Sequence, residues 1–159
     1  HLDHISGCIE AKAEWQAPLV LHRQDLFLYE RAVQQGIAFG IRMRQQPPID
    51  AWFDEQPRWS FGTYTVEAHH TPGHSPGQVC LQVGKTGARG TDLFVGDTIF
   101  AGSIGRTDLP GGDLDTLLAS VRDVLFPLGD ECLVYPGHGP QTTIGQERRT
   151  NPFLRNAER

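Results

Sequence analysis

Cysteine is scarce in this chain of 159 residues. The three present, Cys8, Cys80 and Cys132, are far apart, odd in number and set among apolar neighbours. No CxxC pair occurs, which excludes a cysteine-type zinc site and a dithiol redox motif. They read as three buried thiols kept reduced, so a cytoplasmic protein is expected. A basic excess is also lacking: 14 Lys and Arg stand against 19 Asp and Glu, for a net charge of -5. A phosphate-binding face needs the opposite balance, so nucleic acid is not an expected partner. No apolar run approaches the roughly 18 residues of a membrane helix, and no membrane partner is expected. Internal repeats, low-complexity stretches and signs of a second domain are missing as well. What remains is an ordinary globular composition, with 38% hydrophobic and 21% charged residues, at a length suited to one core.

The periodicities sketch alternating strands and helices. Ile5, Cys8 and Ile9 have helical spacing after the opening HLDH, and Pro18 ends that helix. "LVL" reads as a short strand. Asp25 is placed to cap a helix over "LFLYERAVQQ", with Gly36 as its stop. The proline-rich stretch from Ile41 to Trp59 shows no period and reads as a loop. "TYTVEAHH" and "QVCLQV" alternate as half-buried strands, and "DLFVGD" is a short apolar strand ending on Asp97. "DLDTLLASVRDVLFPL" is the clearest helix: Leu114, Leu117, Leu118, Val121, Val124 and Leu125 form one stripe, Asp113 caps it and Pro127 closes it. "CLVYPGHG" is a last strand running into a glycine-rich loop, and "TIGQERRT" adds a terminal helical turn. Strands separated by helices imply sheet layers covered by helices.

Histidine is where the chemistry gathers. Of seven, four lie in loops rich in glycine or aspartate: His1 and His4 in HLDH, His74 in TPGHSPG, and His138 in YPGHGP. Asp97 adds a carboxylate at the end of an apolar strand, where it needs an ion or a partner. The set His1, Asp3, His4, His74, Asp97 and His138 offers imidazole and carboxylate without thiolate, which suits zinc, iron or manganese. Six ligands exceed what one catalytic metal with an open position can use. They suit two metals, roughly 3.5–4 Å apart, that share a carboxylate, hold a bridging hydroxide and polarise a carbonyl. His22 has no such context and reads as structural; His69 and His70, at a strand end, read as packed.

The order HxDH, HTPGHSPG, strand-end GD and PGHG resembles the metallo-β-lactamase superfamily over the whole chain. The stretch from GRTDLPGG to NPFL is similar to its short glyoxalase II-like branch, the hydroxyacylglutathione hydrolase relatives. The resemblance implies a four-layer αββα sandwich with metals at one edge of two packed sheets. The family motif is THxHxDH, of which HxDH is present. A further histidine is therefore expected two positions ahead of His1, with the first strands of one sheet upstream of it. The resemblance assigns His1, His74 and Asp97 to one metal. It assigns Asp3, His4 and His138 to the other, with Asp97 as bridge. Two divalent ions are implied, zinc first, with iron and manganese as alternatives. Asp97 then positions both metals, and Asp3 hydrogen-bonds the nucleophile.

Arg106, in GSIGRTDL, falls where larger glyoxalase II enzymes have a basic residue beside glutathione. Those enzymes carry a C-terminal helical domain beyond NPFL that this sequence does not show, and a tyrosine near the place of Asp108. The implied reaction is hydrolysis of a small-molecule thioester such as S-lactoylglutathione. Alternatives are a lactonase, a persulfide dioxygenase with one iron on two histidines and one aspartate, or a non-catalytic fragment lacking one ligand. Oligomeric state is left open.

Overall fold

The computed structural model describes residues 1–85 and 91–155. The chain divides into two units, His1–Gln56 and Pro57–Arg159. In the first unit HLDH is itself helical, where a loop was expected. Helix α1 (Leu2–Ile5) turns Leu2 inward, and the Ser6 N–H closes the turn on the Leu2 carbonyl at 2.9 Å. Helix α2 (Cys8–Trp15) stops at Gln16, which takes the left-handed conformation (φ 52°) before Pro18 is reached. Strand β1 (Val20–Leu21) is the expected one. Its parallel partner β2 (Ala51–Trp52) lies in the stretch read as loop. Two residues are too few to show a period. Asp50 anchors the pair instead, its carboxylate accepting the Leu19 N–H at 2.7 Å.

The single helix expected over residues 26–35 is two, α3 (Leu26–Glu30) and α4 (Ala32–Phe39). Asp25 makes no capping bond; the imidazole Nδ1 of His22 accepts the Gln24 N–H at 3.3 Å instead. Gly36 does not stop α4. A Cβ there would lie 2.6 Å from the Ile41 carbonyl oxygen, so glycine lets the returning chain pack against the helix. The stop is Gly40, at φ +68°.

The second unit is built on one sheet. Strands β3 (Arg58–Phe61), β4 (Tyr64–His70), β5 (Val79–Lys85) and β6 (Asp92–Gly96) form an antiparallel meander. A short hairpin follows, β7 (Ile99–Phe100) with β8 (Ser103–Ile104). Helix α5 (Leu114–Ser120) continues as a wider turn over Val121–Leu125 and a tight one over Phe126–Leu128. Strand β9 (Leu133–Pro136) then pairs parallel with β6, and β10 (Thr142–Thr143) closes the order β10-β9-β6-β5-β4-β3. Helix α6 (Ile144–Thr150) follows directly.

The helix stripe meets the sheet as its spacing predicted. Leu117, Val121 and Leu125 join Leu93, Val95 and Val134 in one fully buried cluster, while Leu114 at the first turn is exposed. Each such side chain contributes about 1.5–3 kcal/mol by burial. The Asp113 cap is as predicted, Oδ1 accepting the Thr116 N–H at 2.8 Å. The other sheet face carries Leu81, Val83 and Phe94, with Phe94 stacked on Tyr135 at 5.0 Å. No helix among the described residues is long and apolar enough to cross a membrane.

Candidate metal centre

In the second unit, three strand ends bring His74, Asp97 and His138 to one point. The loop after β4 is bolted down by main-chain bonds. Thr71 N–H donates to the Gln78 carbonyl at 2.8 Å, and Asp113 N–H donates to the Gly73 carbonyl at 2.8 Å. Ser120 Oγ donates to the Pro72 carbonyl at 2.7 Å. Gly73 has φ +136°, and a Cβ there would lie 2.3 Å from Leu117 Cα. Only glycine lets the loop lie this close to α5. His74 is thereby buried, 5% exposed.

Asp97 follows Gly96, whose φ of +50° turns the chain out of β6. The Gly137 N–H donates to the Gly96 carbonyl at 2.8 Å, tying the loop of His138 to the same turn. A Cβ at Gly105 would stand 1.7 Å from the Asp97 carbonyl oxygen, so this second glycine shapes the wall behind the carboxylate. The ring of Phe100 meets His138 edge-on, at 6.2 Å between centroids.

The donor geometry fits a metal. His74 Nε2 and His138 Nε2 each lie 3.6 Å from the same oxygen, Asp97 Oδ2. That is too long for a hydrogen bond. It matches two donors of one ion: metal–ligand distances near 2.0–2.1 Å put tetrahedral neighbours about 3.4 Å apart. The tautomer of His74 agrees. Its Nδ1 lies 2.8 Å from the Arg106 carbonyl, which can only accept, so Nδ1 carries the proton. In the neutral ring Nε2 turns a lone pair toward a carboxylate oxygen, an arrangement that a cation between them satisfies. A histidine ligand oriented by a carbonyl on its other nitrogen is the common pattern of metal sites.

In the first unit, His1, Asp3 and His4 share the first helical turn. His4 Nε2 and Asp3 Oδ2 are 3.6 Å apart, and both residues are exposed, whereas His1 is partly buried. The expected ligand set is thus carried by both units.

The Arg106 side chain is exposed and binds Asp108 through two parallel bonds of 2.7 Å, from Nε and Nη2. The guanidinium holds the Asp108 carboxyl down at about 2. The sequence singled out this side chain; it gave no hint that the Arg106 carbonyl orients His74. His22 is buried and caps a turn, while His69 donates to Gln82 Oε1 at 2.9 Å and His70 to the Pro76 carbonyl at 2.8 Å. All three cysteines are free thiols. Cys80 and Cys132 are buried as expected, but Cys8, on a helix of few buried neighbours, is only half-buried. Burial pushes the Cys80 thiol up to about 11, which makes it inert.

Residues 1–138 match the family model of the metallo-beta-lactamase superfamily, and the chain belongs to that superfamily. It is a metallo-hydrolase with the metallo-β-lactamase fold, as the motifs implied. Its sequence is 38% identical to hydroxyacylglutathione hydrolase GloC of Haemophilus influenzae, covering 97% of this chain and 72% of that protein. It is 37% identical to YqgX of Bacillus subtilis, named as a probable metallo-hydrolase, with the same coverage. Among solved structures it is similar to TTHA1623 in a di-iron-bound form, with a TM-score of 0.81 and 38% identity. That match covers 97% of this chain and 73% of the other. The BLEG-1 B3 metallo-beta-lactamase is similar with a TM-score of 0.83 and 37% identity, again over 97% and 73%.

Proposed function

We propose that this chain hydrolyses thioesters of the hydroxyacylglutathione kind at a two-metal centre. The ligands are His1, Asp3, His4, His74, Asp97 and His138, with Asp97 shared. Both units belong to one hydrolase domain in this reading, because the family match runs through both. One observation carries the metal assignment: two histidine nitrogens converge on a single Asp97 oxygen, one of them held in the ligating tautomer. The thioester rests on the similarity to GloC. Zinc is the first choice of metal, and the di-iron form of TTHA1623 makes iron its direct competitor.

When bound, two divalent cations supply a nucleophile at neutral pH and polarise the substrate carbonyl. The chain's own residues do the rest. Asp97 would hold the metal positions in register. His74, locked through Nδ1, keeps its lone pair aimed without reorganisation. Asp3 would accept a hydrogen bond from the attacking water, so that the water's free electron pair faces the carbonyl carbon. A thiolate leaves readily, so no general acid is required. Arg106 reaches an anionic part of the thiol carrier, leaving Asp108 to do so; its planar fork matches a carboxylate with two parallel bonds.

The test is elemental analysis of the purified protein together with turnover of S-lactoylglutathione. Two metals per chain and turnover without oxygen uptake support the reading. One iron per chain with oxygen uptake would replace it with persulfide oxidation. Metal without turnover on any thioester or lactone would leave a binding module.

A further inference from the structure

Resting on the metal centre proposed above, the geometry points to Glu147 and Asn151 as positioning residues for His74 and His138. Neither belongs to the ligand set, and both sit in the QERRTN stretch whose charges suggest a solvated helix. Yet both are fully buried. Glu147 Oε2 accepts the Gly102 N–H at 2.8 Å and the Asn151 Nδ2–H at 2.9 Å, and Oε1 accepts the Thr142 hydroxyl at 2.6 Å. Asn151 Nδ2 also donates to the Ser103 carbonyl at 2.8 Å, and its Oδ1 accepts the Phe153 N–H at 3.0 Å. Gly102 lies in the turn of the β7–β8 hairpin, and Ser103 opens β8. Glu147 and Asn151 thus clamp that turn to α6.

A buried carboxylate is weak evidence for stability, since an apolar replacement often serves as well. What a satisfied buried network does give is one defined arrangement. Here the arrangement concerns a hairpin with two residues per strand, too short to hold itself. This hairpin carries both supports of the metal ligands. Its outgoing end leads into Gly105 and Arg106, whose carbonyl fixes His74 Nδ1. Its incoming strand carries Phe100, whose ring meets His138. Releasing the turn frees both supports at once.

The zinc-loaded protein is compared with Glu147→Ala, Glu147→Gln, Asn151→Ala and a control, Leu125→Ala, which opens the core of the same unit without touching the hairpin. Zinc loss to excess chelator is timed well below the melting transition. Glu147→Ala and Asn151→Ala are expected to lose zinc about 10- to 100-fold faster, the usual range for a residue that orients a ligand. Glu147→Gln, which keeps an acceptor for the Gly102 N–H, should restore most of the retention. Leu125→Ala should melt earlier and hold zinc like the wild type. Equal zinc loss from Leu125→Ala and Glu147→Ala would reduce Glu147 to a structural staple and overturn the inference. A second readout needs no metal: exchange of the His74 Nδ1 proton with solvent, followed by NMR in zinc-free protein. It should quicken at least tenfold in Glu147→Ala and in Asn151→Ala and stay near the wild-type rate in Glu147→Gln; Asn151→Ala carries the test if Glu147→Ala fails to fold. Unchanged exchange would sink the positioning role. Failure of the wild type to bind zinc or to hydrolyse a thioester would instead retire the functional reading, and the ring proton would still decide the role of Glu147.

Discussion

The two units carry their halves of the proposed ligand set in opposite ways. In Pro57–Arg159, Asp97 follows a strand whose inward residues, Leu93 and Val95, are fully buried, His74 is itself buried in the loop after β4, and neighbouring main-chain groups hold each turn. In His1–Gln56, Asp3 and His4 sit exposed on a four-residue helix, and the core is small: Leu2, Leu28, Tyr29 and Ala32. The first unit leans on surface ion pairs, Lys12 with Asp50, Arg44 with Glu10, and Arg23 with Asp54 and Glu55. In the second unit His74 is buried and held through Nδ1, whereas Asp3 and His4 in the first are exposed. Preorganised ligands keep affinity when the metal is scarce, and adaptable ones tolerate substitution better.

The largest test of this contrast is a pair of matched carboxamides. Asp97→Asn removes the shared charge, so both metals should be lost and turnover should fall by orders of magnitude. Asp3→Asn should release one metal and leave more activity than Asp97→Asn. His22→Ala, away from both sets, should leave the metal content alone. Elemental analysis and steady-state rates decide it. Full metal and full activity in Asp97→Asn would make Asp97 a strand-end cap and no more.

A pair of glycines tests the scaffold beneath. Gly73→Ala puts a methyl group into the backbone of α5 at a positive φ, and should cost about 2–4 kcal/mol in a denaturant titration. Gly40→Ala, at φ +68° with open space around it, should cost only about 1–2 kcal/mol from the left-handed backbone alone. Equal costs would mean that the metal loop is not wedged against α5.

How much of this was legible follows the same divide. The candidate ligands stood out because each lies in a local motif: glycine turns and strand ends leave a signature within a few residues. The helix stripe was visible because its period and cap are local too. The supports were not. A carbonyl such as that of Arg106 has no residue identity, so no spacing reveals that it orients His74. Glu147 stands between Gln146 and Arg148 like any solvated helix charge, and only the fold brings Gly102 to it. Gly36 looked like a stop because open turns and close packing call for the same residue.

Arg106 is exposed in the second unit, as His138 is. If its side chain grips the substrate, Arg106→Ala should raise KM for a glutathione thioester about 5- to 100-fold and spare a neutral thioester. Equal losses on both substrates would assign the arginine to its pair with Asp108 alone. Asp108 adds a pH window. Its folded pKa lies near 2, below the ordinary carboxylate value, so the pair is intact above that ordinary value and weakens as pH falls toward 2.

The smallest expected effect concerns the first unit's ion pairs. Bonds to the Leu19 N–H and Lys12 lower the Asp50 carboxyl, and its own backbone N–H and Arg44 lower that of Glu10. A depressed folded pKa means stability that is present near neutral pH and lost as pH falls through the carboxylate range. Salt screens such exposed pairs, while the apolar core of the second unit is indifferent to it. Amide exchange should therefore separate the units. Raising the salt from low to about 0.5 M at pH 7 should speed exchange of the Leu19 and Phe53 amides roughly two- to fivefold, in line with the small worth of surface pairs. The amides of Leu93, Val95 and Val134 should not respond. Lowering the pH toward 4 should act on the first group in the same direction, once the intrinsic pH dependence of exchange is divided out. A uniform response across both units would show that ion pairs do not set the order of the first, and that the contrast between the two halves of the metal set lies in exposure alone.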